Sequence, residues 1–228
     1  MSVQLYGDKV STTTRAVLLF CRERGLPVEL VTVPLMEGGH HKEPFVALNP
    51  NRLVPVLKED NFVLTESATI LRYLADRFDA PEYPKDLRER ARVNERMDWL
   101  NTNFYREYGY HLIYPQLFPH HLRKPEDANR ATVEWGSEKS AQSLAVLDAH
   151  WLSAGKYLCG DKITIADYFG ATLVATGELI GVDLSRYPNV SRWMATMKSL
   201  KAWKEVFDAH EGFAQSLRGK TFVTLPAR

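Results

Sequence analysis

The stretch NPNRLVPVLKEDNFVLTESATILRYLADRF, residues 49–78, decides the fold. Its short apolar runs at residues 56–57 and 62–64 lie on either side of a charged turn, which predicts a β-hairpin. Apolar side chains then recur at helical spacing, and Glu66 and Ser67 stand where the first turn of that helix begins. The stretch therefore predicts two strands followed by a helix.

The residues before this stretch predict a βαβ unit. Residues 3–6 form a short strand candidate, and Ser11 opens a helical run over residues 15–24 that a glycine ends. Residues 28–33 are apolar and largely β-branched, as in a buried strand. The first part of the chain therefore has the order β-α-β, then β-β-α.

The Val54-Pro55 pair makes this α/β unit a candidate thioredoxin-like domain. A proline just before a short strand can take the cis form and leave the backbone N–H and C=O of the preceding residue open to a peptide. The pair stands at that position in the predicted order. We therefore expect an α/β thioredoxin-like N-terminal domain over residues 1–80.

The second half of the chain has the pattern of an all-α helical domain. Residues 81–86 contain two prolines and predict a linker. Thr164 and Asp167 further on have the spacing of a helix capping box. We expect an all-α helical C-terminal domain over residues 87–228. It contains four mainly helical stretches, residues 87–118, 125–154, 164–179 and 189–210.

Composition and charge limit the classes of partner. Twenty-nine basic residues balance 28 acidic ones, so the net charge of +1 favours neither a nucleic-acid nor a membrane partner. Two distant cysteines form no metal-ligand spacing and indicate a reducing, cytoplasmic location. The sequence shows no secretory leader and no apolar run of about 18 residues. A small-molecule ligand fits these properties best.

Two sites in the first domain have residues suited to binding or chemistry. Glu66 and Ser67 lie at a helix start, which favours binding of a ligand carboxylate. The Glu66 side chain also offers an acceptor for a ligand ammonium, so the pair suits the α-amino acid end of a ligand. An ordinary helix cap is the alternative for both this site and Ser11. If a ligand thiol binds near Ser11, the hydroxyl and the helix dipole would shift it toward the thiolate, with Ser11 as donor and not nucleophile.

These residues resemble those of the cytosolic glutathione transferases, especially the serine-type phi, theta and delta classes. The resemblance rests on four stretches that occur at family spacing: Ser11-Thr-Thr-Thr-Arg15, Gly39-His-His-Lys-Glu-Pro-Phe45, Asn49-Pro50 through Val54-Pro55, and Thr65-Glu66-Ser67. The first of them looks most like phi, whereas Tyr114-Pro-Gln116 looks more like delta. The resemblance covers nearly the whole chain.

The resemblance implies a glutathione site with Ser11 stabilising the thiolate. It implies that Val54 pairs with the cysteinyl backbone and that Glu66 with Ser67 holds the γ-glutamyl end. His40 and His41 would lie near the glycine carboxylate. Leu53 stands where relatives often carry Lys or Gln, which leaves Arg52 as a replacement cation. The full expected set is Ser11, Thr12, His40, His41, Arg52, Leu53, Val54, Glu66 and Ser67.

A second substrate, the electrophile, is expected to bind to the helical domain. Asn101, Tyr105, Tyr108 and Leu112 follow each other at spacings of four, three and four, which predicts one shared helix face. That face is our candidate electrophile site, with core or subunit interface as the alternative. His111, His120 and His121 lack the other groups of a metal site and are expected to be solvated, so no metal is predicted.

The predicted function is therefore that of a glutathione S-transferase in detoxification, with glutathione as co-substrate. The thiolate would attack small hydrophobic electrophiles, and organic hydroperoxide reduction would use the same group. The resemblance also implies a homodimer. The alternative is a non-catalytic protein of the same fold, either a carrier of apolar ligands or an assembly module.

Overall fold

The computed structural model describes residues 3–226 and contains a four-stranded mixed sheet in the order β2-β1-β3-β4. Strand β1 runs parallel to β2, with Val3 opposite Val28, and antiparallel to β3, with Tyr6 opposite Val56. Strands β3 and β4 form the predicted hairpin. The strands are β1 Val3–Gly7, β2 Val28–Thr32, β3 Val56–Glu59 and β4 Phe62–Leu64.

Helix α1, Thr12–Arg24, begins and ends where the sequence predicts. Ser11 is its N-cap, and the Ser11 Oγ accepts a hydrogen bond from the backbone N–H of Thr14 at 3.3 Å. Gly25 ends the helix in the left-handed region, with φ 64°. The helix packs against the sheet on one side and the helical half of the chain on the other, so its middle residues are wholly buried.

Two shorter features complete the first half of the chain. Helix α2, Phe45–Leu48, is a single turn, and helix α3, Ser67–Arg77, follows the hairpin directly. The Val54–Pro55 peptide, which the sequence allows to be cis, is cis in the structure. Helix α3 packs on α1 and β3.

The second half is helical, as predicted, with one long irregular helix at its start. Helix α4, Leu87–Trp99, continues through two π-helical segments, Leu100–Phe104 and Arg106–Ile113, into α5, Tyr114–Leu117. A π-helix closes its hydrogen bonds five residues apart instead of four, which changes the residues that share a face. The later helices are α6 Glu126–Val146, α7 Ile165–Ala175, α8 Pro188–Lys198 and α9 Trp203–Ser216.

The predicted helical stretch 189–210 consists of two helices. Helix α8 ends at Lys198, where the Ser199 hydroxyl donates to the Thr196 carbonyl at 2.7 Å. Helix α9 starts after the turn, and the Ala202 N–H before its first residue donates to the Glu23 carboxylate at 2.9 Å. The contact from α1 stabilises a helix start that the local sequence does not indicate.

The predicted capping box at the start of α7 is present. The Asp167 carboxylate accepts hydrogen bonds from the Thr164 N–H at 2.8 Å and the Thr164 hydroxyl at 3.0 Å. It also accepts from the Leu158 N–H and the Trp193 indole N–H. Burial raises the pKa of Asp167 to about 6, although the four hydrogen bonds act to lower it. The cap therefore joins α7 to α8 and to the loop before α7.

Cys21 is fully buried in α1, and burial raises the pKa of its thiol to about 12. Cys159 is half-buried, and burial raises the pKa of its thiol to about 11. A thiol with a raised pKa forms little thiolate near neutral pH and is a weak nucleophile. None of the helices within residues 3–226 has the length and apolar character needed to cross a bilayer.

Candidate active site

The Ser11 hydroxyl lies at the N-terminus of α1, close to the cis Val54–Pro55 peptide. Its Oγ is 3.1 Å from the Thr13 Oγ1, and the Thr13 hydroxyl donates to the Val54 carbonyl oxygen at 3.1 Å. Since a hydroxyl has one proton, Thr13 cannot also donate to Ser11, so Ser11 is the donor between them. Turning the Ser11 proton from Thr13 toward a ligand would break that one bond and leave intact the cap that the Ser11 oxygen makes.

Val54 presents backbone hydrogen-bonding groups beside Ser11. Its carbonyl oxygen accepts from Thr13 and retains a second lone pair. Within residues 3–226, no acceptor takes the Val54 N–H. An extended peptide can therefore pair with this residue while it lies across the start of α1.

Glu66 and Ser67 lie at the start of α3 with an unusual backbone geometry. Glu66 has φ 66° and ψ 108°, although side chains other than glycine rarely occupy positive φ. Its carboxylate makes no capping hydrogen bond and is exposed. Ser67 is buried at the first helical position. The pair leaves one free carboxylate beside the positive end of a helix.

The residues expected at the glycine end lie on two separate segments. Arg52 and Leu53 are both exposed just before Val54, and Arg52 has φ 58°. His40 and His41 form a short 3₁₀ turn, with ring centroids 3.9 Å apart. The His40 Nδ1 is buried without a hydrogen-bond partner among the described residues, and burial lowers the pKa of this imidazole.

The face proposed for the electrophile points mostly into the core, which corrects the prediction. Tyr108 is wholly buried and donates to the Val174 carbonyl at 3.2 Å, and Leu112 is also in the core. Tyr105 is buried with its hydroxyl 2.5 Å from that of Tyr114, whereas Asn101 is exposed. Tyr105, Tyr108 and Leu112 do share a face, but that face packs into the core, which was the alternative to a binding site.

A different aromatic cluster faces the first half of the chain. Tyr110 is 39% exposed, and burial together with the nearby Tyr114 and Glu66 raises its pKa to about 12. Tyr114 lies 5.3 Å from Tyr110 between ring centroids. The Tyr114 hydroxyl lies 3.1 Å from the hydroxyl of Thr12, the neighbour of Ser11, so this cluster borders the start of α1. The aromatic cluster consists of Tyr110, Tyr114, Phe118, His121 and Phe213.

The sequence contains a signal that would have identified this cluster. Tyr110, Tyr114 and Phe118 recur at intervals of four residues, which is also a helical spacing. Phe213 joins them from α9, where it stacks on Phe118 with 6.0 Å between ring centroids. Its contribution depends on the tertiary fold and has no local signal.

Thr12, expected to contact glutathione, is buried, and its side chain points toward the helical half. Its hydroxyl lies 3.1 Å from the Tyr114 hydroxyl and 3.1 Å from the Thr176 hydroxyl. These contacts fix the start of α1 against the helical domain. The Thr12 side chain therefore has a structural role in the position of its neighbour Ser11.

The histidines beside the aromatic cluster are less solvated than expected. His111 is half-buried and lies 2.8 Å from the Glu107 carboxylate, and burial lowers the pKa of His121 to about 4. His120 is exposed. Across residues 3–226, no three side chains of His, Cys, Asp or Glu converge as metal ligands.

Comparison with known families covers both halves of the chain. The family described as "Glutathione S-transferase, N-terminal domain" matches residues 5–82. The family described as "Glutathione S-transferase, C-terminal domain" matches residues 113–201. Human glutathione S-transferase theta-2B is 30% identical over 230 residues, which is 99% of this chain and 93% of the relative.

Solved structures show the same likeness. A delta-class glutathione transferase from Nilaparvata lugens superposes with a TM-score of 0.80 at 30% identity, over 95% of this chain and 98% of that one. Human glutathione transferase theta-2, in complex with glutathione and an unknown ligand, has a TM-score of 0.79 at 27% identity. That alignment covers 98% of this chain and 93% of the relative.

Proposed function

The chain belongs to the glutathione S-transferase family and is a glutathione transferase, and from that premise we propose that Ser11 activates the glutathione thiol. The observation that carries the proposal is the position of the Ser11 hydroxyl at the start of a 13-residue helix, where its proton is bonded only to the Thr13 hydroxyl among the described residues. Its oxygen accepts from the Thr14 N–H, which makes its own proton a better donor. Ser11 therefore acts as a hydrogen-bond donor to sulfur.

In the proposed mechanism, the Ser11 hydroxyl and the α1 dipole stabilise the glutathione thiolate. A free thiol has a pKa of about 8.5, and a helix N-terminus lowers such values. The thiolate then attacks the electrophilic atom, a carbon–sulfur bond forms, and the leaving group departs with its electron pair. With an organic hydroperoxide, sulfur would attack the terminal oxygen instead, and the O–O bond would break to release an alcohol and leave a sulfenic acid on sulfur. The thiol of a second glutathione would then displace water from that sulfenic acid to form the disulfide.

We propose that glutathione lies across the start of α1 with its ends on α3 and on the loop after β2. The cysteinyl backbone pairs with Val54, whose N–H is free among the described residues. The γ-glutamyl ammonium binds Glu66, and its carboxylate binds Ser67 at the start of α3. The glycine carboxylate is assigned to His40, His41, Arg52 and the backbone of Leu53. Residues 1–80 form the glutathione domain and residues 87–228 the electrophile domain in this proposal.

The aromatic cluster is our proposed wall of the electrophile site, in place of Tyr105, Tyr108 and Leu112. Its members are rings without a Lys or Arg among them, which suits a small, apolar and preferably flat electrophile. Tyr110 is its most exposed member.

Tyr110→Leu should raise KM for an aromatic electrophile about five-fold and leave KM for glutathione unchanged, because ring stacking contributes about 1 kcal/mol. Steady-state kinetics with a chlorodinitroarene measure both constants. Tyr110→Phe keeps the ring and is the matched control, with a KM close to that of the wild type. An unchanged electrophile KM in Tyr110→Leu would remove Tyr110 from the site.

The same kinetics separate an enzyme from a carrier. A transferase conjugates glutathione with the chlorodinitroarene at a rate proportional to protein concentration. A carrier of apolar ligands binds a hydrophobic dye but leaves the solution rate of conjugation unchanged. Absence of any rate enhancement would contradict the proposed Ser11 chemistry.

We further propose a cytoplasmic homodimer with a role in detoxification. The outer strand β4 exposes Phe62 and Val63, at 45% and 38%, and an apolar sheet edge of this kind is commonly covered by another chain. Multi-angle light scattering should therefore give twice the chain mass of 26.0 kDa. A single-chain mass at micromolar concentration would contradict the dimer.

A further inference from the structure

Arg15, in the first turns of α1, has a guanidinium group that is completely buried directly behind Ser11. The Arg15 Nη1 donates to the carbonyl oxygens of Lys9 and Val10, both at 2.9 Å. The Nη2 donates to the Thr12 hydroxyl at 3.4 Å. These three acceptors belong to residues just before and just after Ser11. The guanidinium therefore forms hydrogen bonds with the chain on both sides of Ser11, the proposed thiol-activating residue.

The positive charge of Arg15 has no counter-ion. Within residues 3–226, no carboxylate forms an ion pair with it. The nearby Glu178 is paired with Lys198 at 2.7 Å and lies 3.6 Å from His210. A buried charge without a partner is costly, so proteins normally pair one with an opposite charge.

The other groups that contact the guanidinium are neutral, and the Glu178 carboxylate acts on its charge only from beyond ion-pair distance. The Phe207 ring lies 5.0 Å from the guanidinium carbon, and burial raises the pKa of the phenols of Tyr105 and Tyr114. The Arg15 Nε is buried and has no acceptor among the described residues. Burial lowers the pKa of Arg15 itself to about 10. The Nε–H of the buried guanidinium is therefore left without a hydrogen-bond acceptor among the described residues.

We propose that Arg15 is a positioning residue for the transferase reaction: it holds Ser11 in place, and the glutathione thiolate balances its buried charge. The inference rests on the proposed function of Ser11 and adds to it a second, electrostatic source of thiolate stabilisation. Coupling between two charges is reciprocal: if the thiolate stabilises the guanidinium, the guanidinium lowers the thiol pKa to the same extent. The low polarity around Arg15 strengthens this interaction.

The test compares Arg15→Gln with Arg15→Lys by ultraviolet titration of the thiolate of bound glutathione. Gln removes the charge, and Lys keeps a charge but lacks the guanidinium fork. We expect Arg15→Gln to raise the pKa of the bound thiol by about one unit, and Arg15→Lys by less than half as much. Binding of S-methylglutathione, which has no thiol, should stay within about three-fold of wild type and shows that the site is intact.

Two results would overturn the inference. One is a thiol pKa in Arg15→Gln equal to that of wild type. The other is an equal rise in both variants, which indicates that Arg15 only holds the loop. Ser11→Ala is titrated alongside: if wild type has a depressed pKa that rises in Ser11→Ala, the proposed function stands whatever Arg15 does. If wild-type glutathione keeps its solution pKa, the proposed function fails and this inference fails with it.

A measurement on the wild-type protein covers the case in which the variants do not fold. The Arg15 Nε resonance, observed by ¹⁵N NMR at pH 8, should move on addition of glutathione. S-methylglutathione should move it much less, because it adds no negative charge. Equal displacement by both ligands would overturn the proposal.

Discussion

Replacing Ser11 with alanine should lower kcat/KM for glutathione conjugation by about 10²-fold. The variant removes a hydroxyl donor at the start of α1, near Val54, whose N–H has no acceptor among the described residues. Loss of one preorganised donor to a reacting anion typically costs about 10² to 10³ in rate. The pKa of the bound thiol should rise in the same variant, so the rate loss should be largest at neutral pH and smaller at alkaline pH.

The control for this variant must account for the second role of Ser11. Its oxygen also caps α1 through the Thr14 N–H, and loss of such a cap costs about 1 kcal/mol of stability. Denaturant unfolding of Ser11→Ala measures that loss separately from activity. Ser11→Thr retains a capping hydroxyl and should retain most of the activity. Full activity in Ser11→Ala at pH 7 would rule out the proposed role of the hydroxyl.

Glu66→Gln should weaken glutathione binding by about ten-fold. Its carboxylate is exposed and makes no capping hydrogen bond at the start of α3, where the Glu66 backbone has a positive φ of 66°. A hydrogen bond to a charged group contributes about 1.5 kcal/mol or more, and the amide retains the shape but not the charge. Calorimetric titration with glutathione measures the loss, and kcat at saturating glutathione should change little.

A glutathione analogue without the γ-glutamyl amino group provides the matched comparison for Glu66. Wild type should bind this analogue about as weakly as the Glu66→Gln variant does, because either change removes the same ion pair. The variant should lose no further affinity for the analogue. If the variant instead binds glutathione as tightly as wild type, Glu66 does not hold the ammonium.

The order of strands and helices in the first half could be predicted because its signals are local. Ser11 and Gly25 mark the ends of α1, and the Val54–Pro55 pair precedes a strand in both the sequence and the structure. The capping box at Thr164 and Asp167 is also local, since its two side chains are three residues apart.

The features that the sequence did not reveal depend on contacts between distant residues. The electrophile face was assigned from helical spacing, which indicates that residues share a face but not whether that face meets a ligand or the core, and tertiary packing buries Tyr105 and Tyr108. The start of α9 depends on Glu23 in α1. The burial of Arg15 has no local signal, because it comes from packing against Phe207 and the helical half.

The most direct test of thiol activation by Ser11 is the absorbance of the thiolate of enzyme-bound glutathione as a function of pH. The wild-type protein should show the thiolate band with a midpoint well below about 8.5, the ordinary pKa of a thiol. The Ser11→Ala protein should show a midpoint shifted upward by about one unit or more. A wild-type midpoint at or above about 8.5, with glutathione bound, would contradict thiolate stabilisation at this site.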